Sequence, residues 1–127
     1  MRKVKVYIAS AYTNGDKEDL VKKHFEVAYE LLKLGFNPYA PLYWHFLYKI
    51  KPDIKDNFDW LELDKIWEED CDMVVRMHFK DVQGNEITSS GADEEDKNAK
   101  KLGIPVFHFD TVEEMVRTLM TFETTIQ

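Results

Sequence analysis

The chain has 127 residues, which sets one domain as the expectation and allows a sizeable core. Its 17 Lys and Arg stand against 24 Asp and Glu, a formal charge of −7, the wrong balance for a protein that neutralises a nucleic-acid backbone. At 44% hydrophobic and 13% aromatic the composition excludes a disordered chain, and 5 Gly with 4 Pro make no linker or low-complexity tract.

Residues 4–9 read Val-Lys-Val-Tyr-Ile-Ala, a β-rich run closed by the polar stretch Thr13-Asn14-Gly15-Asp16. Leu20, Val21, His24, Phe25, Val27, Ala28, Leu31 and Leu32 then recur at helical spacing, and Gly35 supplies the stop. A short strand is expected over 37–40, hemmed by Pro38 and Pro41, followed by an irregular aromatic stretch over 42–56. A second helix is expected over 59–70 and a strand over 73–77. A polar loop around Gly84 and Asn85 leads to a third helix over 92–102, closed by Gly103. A fourth strand over 104–109 and a last helix over 112–120 complete the pattern. Strands alternating with helices predict an α/β fold: a three-layer α/β/α arrangement with a mostly parallel four- or five-stranded sheet, Rossmann- or flavodoxin-like. Ligands of such sheets bind at the carboxyl ends of the strands, so the residues after Ala9, Ala40 and Met77 are the ones to examine.

The third helix carries the most informative anomaly. Its inward stripe should hold Ala92, Glu95, Ala99 and Leu102, so a carboxylate sits on the apolar side, directly after Ser89-Ser90-Gly91. Acids in a first turn complement the helix dipole, which accounts for outward-pointing Asp93 and Glu94 but not for Glu95. Ser90 reads as an N-cap, and the serines with the Gly91 backbone could hold a phosphate oxygen, although the neighbouring acids would repel one. In the second helix Trp60, Leu63 and Trp67 form a stripe expected to be core, with Asp64 beside it. The aromatic 42–56 stretch could close over a flat ring or pack as a satellite core, with His45 a weak contact candidate.

The single cysteine, Cys71, offers no disulfide and reads as a buried packing residue. His24, His45, His78 and His108 never stand at the i, i+4 spacing of a helical metal pair, so no metal and no cofactor is expected. Arg2, Lys3 and Lys5 at the start do not make a signal-peptide core, and no stretch nears the ~20 apolar residues of a membrane span, so the expectation is a cytoplasmic protein.

Taken together, Val6-Tyr7-Ile8-Ala9-Ser10, Trp60-Leu61-x-x-Asp64 with Cys71-Asp72, Ser89-Ser90-Gly91-Ala92-x-x-Glu95 and Ala99-x-x-x-Gly103-Ile104-Pro105-Val106 make the chain resemble the nucleoside 2-deoxyribosyltransferase-like superfamily. That superfamily includes the nucleoside 5′-monophosphate N-glycosidases and small bacterial and phage members. The resemblance implies a Glu nucleophile at Glu95, four positions after Gly91, with Tyr7 positioning it and Asp64 beside the sugar and base. It also implies that Ser10, Ser89, Ser90 and Gly91 bind the substrate's 5′ end. A carboxylate beneath C1′ suits an oxocarbenium-like transition state, and a second acid near the base suits the leaving group. Ser89 stands where the transferases resembled here have an Asp and the monophosphate hydrolases a Ser, which tilts the expectation toward a nucleotide and toward hydrolysis. The first loop, Tyr12 to Asp16, lacks the glycine- and arginine-rich sequence of the hydrolase branch. Resembled enzymes are homo-oligomers, so a dimer or larger is expected. A non-catalytic nucleotide-binding or sensor module on the same scaffold is the competing expectation. A phosphorylatable signalling domain is disfavoured because the first strand ends in Ala9-Ser10 rather than in acids.

Overall fold

The computed structural model describes residues 1–54 and 58–127. The central sheet is built from β2 (Lys5–Ala9), β3 (Asn37–Tyr39), β4 (Met73–Met77) and β5 (Val106–Phe109), all parallel, in the order β3-β2-β4-β5. Helices α1 (Lys17–Leu34), α2 (Trp44–Ile50), α3 (Trp60–Glu69), α4 (Ser90–Leu102) and α5 (Val112–Leu119) connect and cover it. Outside this sheet β1 (Arg2–Lys3) pairs antiparallel with β6 (Thr125–Ile126). The architecture is the predicted three-layer, flavodoxin-like one, with four strands. None of the described helices is long and apolar enough to cross a membrane.

Period-two alternation decides what each face of the sheet buries. Val6 and Ile8 of β2 and Met73, Val75 and Met77 of β4 join the core that includes Leu20, Val27 and Leu31 of α1 and Met115 and Leu119 of α5. Tyr7, Ala9 and Val74 turn to the other face, where they pack with Ala92 and Ala99 of α4. Strand β3 lies on one side of β2 and β4 on the other, so the chain reverses its direction of travel between them. In open α/β sheets the crevice at such a reversal is where ligands bind.

Local chemistry fixes the helix ends. Asp16 caps α1 by accepting from the Asp19 N–H, and Gly35 ends it at φ 105°, a left-handed conformation open to glycine at little cost. The tail over 121–127 is tied down: the Val4 N–H donates to the Thr124 carbonyl at 2.8 Å beside the β1–β6 pair. Arg2 pairs through two 2.7 Å bonds with Asp72, which also accepts from the Lys5 N–H, fastening this ribbon to the start of β4.

Several boundaries differ from the sequence reading. Within the expected irregular stretch, residues 41–54 form a 3₁₀ turn at Pro41–Tyr43, helix α2, and a second 3₁₀ turn at Pro52–Ile54; residues 55 and 56 lie outside the described residues. Helix α4 begins at Ser90, and its N-cap is Ser89, whose Oγ accepts from the Ala92 N–H, not Ser90. Strand β5 starts at Val106 and not at residue 104. On α3 the buried side chains are Asp64 and Glu68, whereas Trp67 of the expected core stripe is half exposed. Leu102 is likewise half exposed, because α4 buries its first turns and lifts its last turn toward solvent.

Candidate functional site

The α3–α4 face of the sheet holds an unusual density of buried polar side chains. Tyr7 is wholly buried on β2, and its hydroxyl donates to Oε2 of Glu95 on α4. Glu95 is only 7% exposed because residues 92, 95 and 99 form the stripe of α4 that meets the sheet. Burial pushes its carboxyl well above the ordinary range, and the neighbouring Asp96 charge pushes in the same direction.

Tyr7 stacks on Tyr39 of β3 with ring centroids 5.6 Å apart, and Tyr39 stacks in turn on Trp67 at 5.3 Å. Asp64 lies buried beneath α2, where the Trp44 indole N–H donates to its Oδ1 at 2.9 Å. Its carboxyl is pushed up to about 7 by burial, against the pull of hydrogen bonds to Trp44 and Tyr39. Glu95, Tyr7, Tyr39, Asp64 and Trp44 thus form one connected chain of contacts across β2, β3, α2, α3 and α4.

A second carboxylate, Glu68, lies one turn beyond Asp64 and is wholly buried. Asn98 of α4 donates to its Oε1 at 2.7 Å, while Oε2 has no partner among the described residues. Burial pushes this acid also up to about 7. On β4, Arg76 is 3% exposed and its Nη1 donates at 3.0 Å to both Asp93 and Asp96. Asp93, expected to point only into solvent, is therefore engaged from below.

The serine positions take up three different environments. The Ser10 Oγ, at the end of β2, lies 2.8 Å from His24 Nδ1, and the His24 Nε2 accepts from the Leu42 N–H at 3.4 Å. That second bond places the imidazole proton on Nδ1, so Ser10 accepts from His24 and keeps its own proton to donate. Burial lowers His24 to about 3, which keeps the ring neutral. Ser89 is buried and committed to the α4 cap, whereas Ser90 is exposed. Apart from its chain neighbours and the backbone of its own helix, a Cβ placed on Gly91 would meet nothing among the described residues nearer than Ser89 Oγ at 4.0 Å, so there is space above this backbone.

His45 is buried between Tyr12 at 2.8 Å and Glu18 at 3.1 Å, and Lys17 lies over the Tyr12 ring. Cys71 is buried with its thiol pushed up to about 12, which makes it inert as a nucleophile. Among the described residues no group of three or more His, Cys, Asp or Glu is placed to hold a metal ion.

Two open clefts, of about 710 and 480 Å³, lie on other surfaces. The larger runs between the first loop (Asn14, Asp16) and the loop before α4 (Asp81, Thr88), the smaller along α1 and the start of α5; neither includes Glu95, Tyr7 or Asp64.

The sequence reading thus named three of the linked residues, Tyr7, Asp64 and Glu95. It missed Tyr39, Trp44, Glu68, Arg76, Asp96 and Asn98. An arginine inside the apolar run Met73–Met77 was a usable signal, since a charge on a strand covered on both faces demands partners.

No protein-family model matches this sequence, and no curated protein matches it. Among solved structures, the chain is similar to a 2-deoxyribosyltransferase from Bacillus psychrosaccharolyticus, described as a biocatalyst for nucleoside synthesis. The TM-score is 0.64 at 15% sequence identity, over 97% of this chain and 100% of the other. The protein therefore has the α/β fold of that transferase across nearly its whole length.

Proposed function

We propose that the protein breaks the N-glycosidic bond of a (deoxy)ribonucleoside or its 5′-monophosphate, passing the sugar to water or to a second base. The observation that carries this reading is the buried Glu95 carboxyl held by the Tyr7 hydroxyl beside the reversal in strand order. The shared fold of a nucleoside-processing transferase supports it.

In this reading Glu95 is the nucleophile, Tyr7 orients it, and Asp64 is the acid for the leaving base. As the C1′–N bond breaks, its electron pair goes to the base, which takes a proton from Asp64. The Glu95 oxygen closes on C1′ to give a glycosyl ester, and water or an acceptor base then displaces it. The attacking water, or the N–H of the acceptor base, gives up its proton to Asp64 as the Glu95 ester bond breaks, which restores both groups. An acid pushed up to about 7 still holds a proton at neutral pH, as a general acid must. Burial of Glu95 favours its neutral form, whereas the Tyr7 hydrogen bond and the positive charge developing at C1′ favour the carboxylate. Ser10, Ser89, Ser90 and the Gly91 backbone are the candidates for the 5′ end. Ser10 has a free proton for it, and Ser89 favours hydrolysis of a monophosphate. A second copy of the chain would complete the pocket, in a dimer or larger assembly.

The test is incubation with deoxynucleosides and their 5′-monophosphates, with free base measured by chromatography. Wild type should release base, and Glu95→Ala should reduce the rate at least about a thousandfold. Equal release by Glu95→Ala would show the mechanism to be wrong. The near-complete burial of Glu95 favours a second reading, a nucleotide-binding module without turnover. It predicts saturable thermal stabilisation by a nucleotide with no base released.

A further inference from the structure

Arg76 is a charge in the middle of the sheet. It sits on β4 opposite Ala9 of β2 and His108 of β5, and it alternates with Val75 and Met77, which face the α1–α5 core. Its side chain therefore rises toward α4. One nitrogen, Nη1, donates at 3.0 Å to Asp93 Oδ1 and at 3.0 Å to Asp96 Oδ2, while Nε has no partner among the described residues. Asp93 and Asp96 lie on one face of α4, three residues apart, and Glu95 stands between them in the chain. A cation buried in an apolar layer is costly unless paired, so the guanidinium and these two acids hold each other. Gripping a helix at two points on one face fixes its rotation about its own axis. That rotation is what aims Glu95 at the Tyr7 hydroxyl on the neighbouring strand.

We propose that Arg76 is a positioning residue for Glu95: tying Asp93 and Asp96 to β4 fixes the first two turns of α4 and cancels the negative charge beside the Glu95 carboxyl. This rests on the reading of Glu95 as the nucleophile.

The charge argument follows from the neighbours. Among the described residues, the titratable and charged groups facing this cluster are Tyr7 from β2, Arg76 from β4, His108 from β5, Glu68 from α3, and Asp93 on α4 itself. Asp96 works against ionisation of Glu95, and Arg76 is the foremost charge that works against Asp96's effect, with His108 acting in the same direction. Removing Arg76 leaves Asp96 uncompensated and makes Glu95 harder to ionise. Removing Asp96 does the opposite.

The experiment is a carboxyl ¹³C NMR titration of glutamate-labelled protein, with the Glu95 resonance identified by its loss in Glu95→Gln. A base-release pH profile accompanies it. In Arg76→Met the Glu95 midpoint should rise by about one pH unit, a roughly tenfold drop in ionised fraction on the acid side. In Asp96→Asn it should fall, and in the double variant it should return toward wild type. The kinetic profile should follow: in Arg76→Met, kcat on the acid limb falls about tenfold with KM unchanged, and in the double variant the limb returns toward its wild-type pH while the loss of the helix grip still lowers the plateau. A Glu95 midpoint unmoved in both single variants overturns the proposal. If Arg76→Met does not fold, Asp96→Asn decides alone, since its partly exposed side chain can be replaced without opening the core. If the midpoints move as expected while no form of the protein releases base, the role of Arg76 stands and the glycosidic reading fails.

Discussion

Replacing Glu68 by Gln tests whether the buried acids on α3 act on stability as their surroundings dictate. Glu68 is wholly buried, and its Oε1 accepts from Asn98, a bond that a Gln Oε1 accepts equally well. The other oxygen has no partner among the described residues, so neutral Glu and Gln leave the same position unpaired. The two side chains therefore differ mainly in charge. Burial pushes the folded-state acid up to about 7, above the ordinary value of 4.5. Below pH 4.5 the group is protonated in both states and carries no penalty. Between 4.5 and 7 the unfolded chain ionises first, so stability is lost as pH rises, and above 7 the loss is complete. At about 1.4 kcal/mol per unit the full shift would amount to about 3 kcal/mol. Relaxation of the protein and water penetration as the charge forms cut this to about 1.5 kcal/mol. Glu68→Gln should thus match wild type at pH 4 and gain about 1.5 kcal/mol at pH 8, or roughly 5 °C in Tm. Urea and thermal unfolding followed by circular dichroism at pH 4, 6 and 8 would measure it. A gain that is the same at pH 4 and pH 8, or a loss at pH 8, would refute the reasoning.

Two further outcomes bear on the proposed chemistry. With Asp64 pushed up to about 7, its acid form declines about tenfold per pH unit above that value, so base release should fall on the alkaline side. Asp64→Asn should lower kcat by about 10²–10⁴-fold and abolish that alkaline limb, and a limb that survives in the variant would assign it to another group. Gly91→Ala places a methyl that, beyond its chain neighbours and its own helix backbone, meets only Ser89 Oγ at 4.0 Å among the described residues, so it should raise helix stability by about 0.5–1 kcal/mol. If a substrate's 5′ group rests on this backbone, KM should rise several-fold in the same variant; an unchanged KM would remove Gly91 from the binding surface.

The parts of the fold that were legible are those set by neighbours in the chain. Gly35 and Gly103 end α1 and α4 where they were expected to, because a left-handed turn is a property of the residue itself. The limits of β4 were readable because its apolar run, interrupted only by Arg76, is bounded by the polar residues Asp72 and His78. Helix α2 was not readable, since its aromatic residues follow no clean helical stripe. They are held by partners elsewhere, as when Phe46 packs on Phe25 of α1 and Trp44 on Trp60 of α3. Trp67 shows the converse error: it fits the apolar pattern of α3, yet the side facing inward belongs to Asp64 and Glu68. Hydrophobicity predicts burial only on average, and a site that collects carboxylates inverts the rule locally.

By itself the sequence determined the alternation of strands and helices, the parallel sheet that follows from it, and an acid on the inward stripe of α4. These rest on periodicity, which a helix or strand expresses within a few residues. The tertiary structure alone decided who meets that acid. Tyr7 reaches Glu95 across 88 positions of chain, Trp44 reaches Asp64, and Arg76 rises from β4 to hold Asp93 and Asp96. The physical reason is desolvation: a carboxyl's proton affinity is set by the water it loses and the charges left beside it. Both are fixed only when distant segments close over it.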